Sequence, residues 1–228
     1  MSMWCTKPLW LRAFLCLGVF VQAQQATPRF LESQWVVSHK LTNTYNANLA
    51  FSSRMEFEDA NSSLPTRFVQ LSHFSTFRMG NNSHFGLGLM YRFAEDFDAK
   101  SPNEFRLTQQ FHAATKPNVV RYAHRFRVEE RFIGAETYAR LRYRMGIDFP
   151  LNGQALDVKE AYTLFNAESL LQLNTNLSPR VDFRISGGIG VLVTPKTKLQ
   201  ATFQYRFEQL IQNQTDRWFL LFGGYITM

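Results

Sequence analysis

The sequence predicts an all-β protein, an antiparallel up-and-down transmembrane β-barrel of ten to twelve strands, carried behind an N-terminal export segment. Three observations lead there. Past residue 23 no apolar stretch has the helical period. In its place runs a series of segments, about ten to fifteen residues long, that alternate apolar and polar side chains. The polar parity of those segments carries arginine far more than lysine. Composition sets the outer limits. With 228 residues, 45% hydrophobic content and a mean hydropathy of −0.23, the chain cannot supply several membrane helices. Aromatics at 15% and only 19% charged residues exclude an intrinsically disordered chain.

The first 23 residues read as a signal peptide, and residues 24–228 as a single barrel domain. Lys7 and Arg12 precede an apolar stretch over residues 13–21, and Val21-Gln22-Ala23 fits the small-x-small cleavage pattern. The stretch is too short to span a bilayer as a helix. Cleavage removes Cys5 and Cys16, so no disulfide is expected, and lowers the formal charge from +7 to +5. A pI near 9.6 suggests nucleic acid as a partner, but export argues against one.

Eleven alternating segments follow, at residues 33–41, 48–58, 67–79, 84–93, 104–115, 119–132, 137–149, 162–173, 181–193, 198–210 and 217–228. Membrane-crossing strands need about nine to eleven residues, whereas strands of soluble sandwiches usually have five or six. The faces are sharply divided. Val120, Tyr122, His124, Phe126, Val128 and Phe132 oppose Arg121, Arg125, Arg127, Glu129 and Arg131. In the next segment Ala139, Leu141, Tyr143, Met145, Ile147 and Phe149 oppose Arg140, Arg142, Arg144 and Asp148. Alternation alone does not decide which face is inside, since a soluble barrel or a secreted β-sandwich is the inverse of a membrane barrel.

Further features favour the membrane barrel. Arginine holds mid-strand positions (Arg54, Arg92, Arg106, Arg125, Arg142, Arg184, Arg206), while Lys40, Lys100, Lys116, Lys159, Lys196 and Lys198 fall at ends and turns. A guanidinium fork suits a confined lumen because it engages several carboxylates or amides at once. Tight turns at residues 80–82, 116–118 and 194–196 contrast with longer connections at 59–66 and 94–103, as expected for periplasmic turns and outer loops. The last segment is apolar to its end, and Gly223, Ile226 and Met228 fit the spacing of a C-terminal assembly signal, with Met228 in place of the usual aromatic residue.

The run Arg125-Phe126-Arg127-Val128-Glu129-Glu130-Arg131-Phe132, with Arg140-Leu141-Arg142-Tyr143-Arg144 after it and Asn103-Glu104-Phe105-Arg106 before it, resembles the domain of unknown function 2490 family of predicted outer-membrane barrels. Arg54-Met55-Glu56-Phe57-Glu58 and Asn166-Ala167-Glu168 resemble its other recurring pieces. The resemblance implies fold and a Gram-negative outer-membrane location, with membrane lipids and the barrel-assembly machinery as partners, and implies no activity. Bacterial single-chain barrels have even strand numbers. Ten strands are therefore expected if residues 33–41 are not a full crossing, and twelve if residues 151–160 hide one.

The candidate lumen network comprises Arg54, Glu56, Glu58, Arg92, Glu104, Arg106, Arg125, Arg127, Glu129, Arg131, Arg140, Arg142, Arg144, Glu168, Arg184, Arg206 and Glu208. As structure, these side chains interlock and leave little open pore; as a porin-like channel, their excess of arginine draws small anionic solutes. The first reading is favoured, because long side chains from both walls of so small a barrel meet. The enzymatic alternative is a phospholipase-like hydrolase using His73 and Ser75, two residues apart and so on one strand face. The neighbouring segment offers Phe85, Leu87, Leu89 and Tyr91 there, with no Asn or Asp to orient the imidazole, so no enzyme is expected. His39, His73, His84, His112 and His124 are scattered, so neither a metal nor a cofactor is assigned. Gly187, Gly188 and Gly190 lie mid-strand and precede no helix, which reads as a barrel bend and not a phosphate loop.

Overall fold

A computed structural model of the chain describes residues 28–57 and 64–228. Among the described residues eleven strands form: β1 (Arg29–Lys40), β2 (Tyr45–Phe57), β3 (Thr66–Arg78), β4 (Ser83–Phe93), β5 (Glu104–Thr115), β6 (Arg121–Ile133), β7 (Glu136–Pro150), β8 (Ala161–Leu173), β9 (Arg180–Thr194), β10 (Thr197–Glu208) and β11 (Thr215–Thr227). The expected signal peptide and Glu58 lie outside the described residues.

Sequential neighbours pair antiparallel from β1 round to β11, and the sheet closes on itself through β1 and β11. That closing pair is parallel, in register from Arg29 opposite Trp218 to Ser38 opposite Thr227. The even count expected above therefore fails on both sides. Strand β1 is a full crossing that pairs along its whole length with β2, from Arg29 opposite Phe57 to Lys40 opposite Asn46. Residues 151–160 add no strand; they form an irregular connection in which Lys159 takes φ 70°. An odd closure is accessible because a parallel ladder is only slightly weaker per residue than an antiparallel one.

The start of β1 and the end of β11 consequently lie at opposite rims. The first rim holds the connections that follow β2, β4, β6, β8 and β10, and the second those that follow β1, β3, β5, β7 and β9. Loop length sorts only partly by rim. Residues 94–103 are a long connection at the first rim, yet the same rim carries a two-residue turn in which Gly134 supplies φ 57°. The ten-residue connection at 151–160 stands at the second rim among short turns.

Register places the alternating faces as the sequence predicts. Trp35, Leu49, Leu71, Phe126, Leu141 and Phe165 are exposed on the outer surface, whereas Glu104, Glu129 and Glu168 on the opposite parity are 2%, 0% and 2% exposed. Alternation with the apolar face outward is inverse to a soluble barrel. Aromatic pairs gather on the outer wall toward the first rim: Phe57 with Trp218, Tyr91 with Phe93, Phe105 with Phe132, Phe183 with Phe207, and Tyr205 with Phe207. Membrane barrels flank their apolar band with aromatic residues of this kind. Tyr45 stacked on Phe77 marks the second rim.

Candidate functional site: the arginine-lined lumen

Eleven strands spaced ~4.8 Å apart and tilted ~40° make a backbone cylinder of radius about 11 Å. An arginine reaches well over halfway to the axis, so side chains from different walls meet. Arg131 on β6 donates to Gln172 on β8 at 2.7 Å, and Arg125 on β6 to Glu168 on β8 at 3.2 Å. The Arg127 guanidinium stands 5.5 Å from the Phe74 ring on β3. Gly88 makes room for that ring, since a Cβ at this position would lie 2.5 Å from Phe74.

Three carboxylates organise the charge. Glu129 has Arg142 Nη1 at 2.8 Å, Arg127 at 3.4 Å, Arg106 at 3.6 Å and Arg140 at 3.9 Å. Glu168 has Arg142 Nη2 at 2.8 Å, Arg144 and Arg125 at 3.2 Å, and Arg184 at 3.8 Å. Arg142 thus bridges the two. Glu104 takes both Nε and Nη2 of Arg131, at 2.6 and 2.8 Å, with Arg106 at 2.6 Å and Arg92 at 3.1 Å. Neutral amides extend the web: Gln70 accepts from Arg92, Gln110 from Arg127, Gln172 from Arg140, and Gln204 from Arg206. Charge-assisted bonds of this kind are the strong members of a hydrogen-bond network.

Every described residue of the expected network points inward. Glu56 sits at the first rim, bonded to Arg67 at 2.6 Å, and Glu208 binds Arg180 at 2.8 Å. Several members were not anticipated. Glu32, bonded to Arg54 at 2.8 Å, precedes the expected start of the first strand, and Arg180, Asp182 and Arg217 occupy inward positions near strand ends. Their signal was available in the same parity that identified the others. An aromatic group also lies inside. Phe30 stacks on Phe219 at 4.8 Å, Arg54 stands 4.7 Å from the Phe68 ring and 4.9 Å from Phe219, and Arg206 lies 3.5 Å over Phe219. Cation–π contacts with desolvated guanidiniums are worth up to about 2 kcal/mol each.

Among the described residues, two neighbouring cavities lie in the lumen. One, about 510 Å³, opens at the second rim, lined by Lys116, Arg121, Lys198, Tyr162 and Asp148 among others. The other, about 380 Å³, lies within the arginine web and shares Arg125, Arg144, Asn166, Gln200 and Tyr225 with the first.

On the outer face His73 Nε2 and Ser75 Oγ are hydrogen-bonded at 3.1 Å, and Tyr45 Oη also reaches Ser75 Oγ at 3.1 Å. Directly opposite His73 stand Leu49 and Leu89. Among the described residues no three His, Cys, Asp or Glu side chains gather as metal ligands. Gly188 and Gly190 sit in uninterrupted ladder, where a Cβ would meet Ala201 O and the Tyr162 ring at under 3 Å, so they serve close packing of β9 between its neighbours.

No curated protein matches this chain in sequence. Among solved structures it is similar to LpxR from Salmonella typhimurium, at 11% identity and a TM-score of 0.47, covering 80% of this chain and 83% of that one. A weaker similarity is to the siderophore receptor PirA from Pseudomonas aeruginosa, at 10% identity and a TM-score of 0.35, covering 79% of this chain and 35% of that one. The family model described as protein of unknown function (DUF2490) matches residues 32–217, and the chain belongs to that family.

Proposed function

We propose that the protein is an exported outer-membrane barrel whose Arg/Glu web braces the wall and narrows the lumen, in place of a wide aqueous pore. The observation that carries this is the inversion of the two faces: an apolar outer wall with an aromatic ring, around an interior where Glu104, Glu129 and Glu168 each hold several guanidiniums. Outer-membrane lipid is the partner of the outer wall, and the assembly machinery that of the folding chain. Fractionation of the native host tests the location, with a heat-modifiable band in the outer-membrane fraction as the expected result. Recovery as a soluble periplasmic monomer would end the reading.

The adjacency of the two cavities, which share Arg125, Arg144, Asn166, Gln200 and Tyr225, supports a second reading, a narrow anion-selective channel. Planar-bilayer recording separates them: the braced lumen gives no steady conductance, and a channel gives a steady, anion-selective one.

The reading includes no catalysis. His73 and Ser75 are paired, but the residues directly opposite His73 are apolar and the further polar contact, with Tyr45, is made to Ser75; a histidine without an orienting carboxylate or amide is poorly held to take the serine proton.

A further inference from the structure

We propose that the interior cavity is a binding site for a small multivalent oxyanion, reached through the cationic mouth at the second rim. The inference goes beyond the braced-barrel reading and holds whether or not the lumen conducts.

Charge is the first ground. Thirteen arginines line the 380 Å³ cavity, against the carboxylates of Glu32, Asp182 and Glu208. Counting Glu104, Glu129 and Glu168 in the wall behind still leaves more than two guanidiniums for each carboxylate. Buried charges left uncompensated are costly, and a closed web meant only for bracing would balance them.

Register is the second ground. Arg125 faces Arg144, Arg127 faces Arg142, Arg184 faces Arg206, and Arg206 faces Arg217 directly across adjacent strands. Like charges in opposed positions destabilise a sheet unless something of opposite sign lies between them. Arg142 meets that need with Glu129 and Glu168. Arg184 and Arg206 are bridged by no common carboxylate among the described residues, since their ion pairs run to different ones, Glu168 and Glu32, each at 3.8 Å. The third ground is unused donors: the Nε atoms of Arg142, Arg184 and Arg217 are buried without a partner.

A single monovalent ion leaves most of this surplus standing, whereas several oxyanion groups on one small molecule fill adjacent guanidinium forks together. The volume lies within the range of small-molecule sites. Access is built in the same sense: Lys116, Arg121 and Lys198 line the mouth, and Arg125 and Arg144 stand between it and the inner cavity, lining both. Asp148 pairs with Arg121 at 2.8 Å, so Lys116 and Lys198 leave the mouth net positive, and a cleft of net positive charge concentrates anions at its opening.

Calorimetric titration of the folded full-length protein in detergent tests this with tripolyphosphate, orthophosphate and citrate as probes. Saturable binding of a multivalent probe is expected, at least tenfold tighter than that of orthophosphate. The Arg184→Gln/Arg206→Gln double variant should weaken it at least tenfold with its heat-modifiable band intact. Arg184→Lys, which keeps the charge and loses the fork, should weaken it less, and Lys40→Gln at the exposed rim should leave it unchanged. Tighter binding of tripolyphosphate than of citrate assigns the oxyanion to phosphate, and the reverse order assigns it to carboxylate. A folded wild-type barrel that takes up neither probe, or a double variant that binds as wild type does, overturns the inference and leaves the braced barrel standing.

Discussion

The arginine surplus makes the network asymmetric, so losing one carboxylate should cost more than losing one arginine. Glu129 is the sharpest place to apply this. It is 0% exposed and surrounded by Arg142, Arg127, Arg106 and Arg140, while the next residue, Glu130, points outward. Removing one partner of a buried ion pair costs about 3 to 5 kcal/mol. In Glu129→Gln the amide oxygen can still accept from Arg142, retaining about 1 kcal/mol. The expected loss is therefore about 2 to 4 kcal/mol, roughly a hundredfold in the folded-to-unfolded ratio. Arg142→Gln gives up hydrogen bonds to both Glu129 and Glu168, about 2 kcal/mol in all, and relief of like-charge opposition should bring its net cost below that of Glu129→Gln. Glu129 keeps three arginines after that change, Glu168 keeps Arg144, Arg125 and Arg184, and the opposition of Arg142 to Arg127 is relieved. Glu130→Gln, on the outer wall near the first rim, should lie within about 1 kcal/mol of wild type, because acidic residues on a lipid-facing wall cost little near the interface. Equilibrium urea unfolding in micelles, followed by the emission of Trp35 and Trp218, gives all three. Arg142→Gln costing as much as Glu129→Gln would refute the surplus argument, and Glu130→Gln costing the most would mean that the faces are reversed.

Other changes probe the outer wall and the seam. Leu141 is 45% exposed on the outer face of β7, so Leu141→Arg should impair assembly by about 2 to 4 kcal/mol if the position lies near the midplane, read as loss of the heat-modifiable band in vesicles. Gly224 lies at the β1–β11 seam beneath Trp35, where an added Cβ would come 2.3 Å from the indole. Gly224→Ala should therefore shift Trp35 emission and cost about 1 to 3 kcal/mol by overpacking, and an unchanged spectrum would place Trp35 away from the seam. Purified protein in detergent should release no more fatty acid from phospholipid than Ser75→Ala does, and a reproducible Ser75-dependent release would overturn the non-enzymatic reading.

Strand positions and facing were legible because one parity of each segment is apolar and the other charged, and a slip of one residue would reverse every side chain. Arg125, Arg127, Arg142 and Arg144 could be placed on one face on that basis, and inside once the strand lengths and the mid-strand arginines had favoured a membrane barrel over a soluble one. The closure was not legible in the same way. Pairing β1 with β11 joins opposite ends of the chain, and nothing local in residues 29–40 distinguishes a parallel from an antiparallel partner. The inward aromatics were hidden for a different reason. Phe30, Phe68, Phe74 and Phe219 occupy the polar parity, and an apolar side chain there reads as noise until a guanidinium is found over its face. Those rings explain how so many arginines pack in one lumen, since a ring face accepts a cation without adding a carboxylate. They leave the formal surplus in place, however. The chain's net charge of +7 would mark a basic surface on a soluble protein; here thirteen arginines turn inward around one cavity, and the surplus becomes a property of what that cavity can hold.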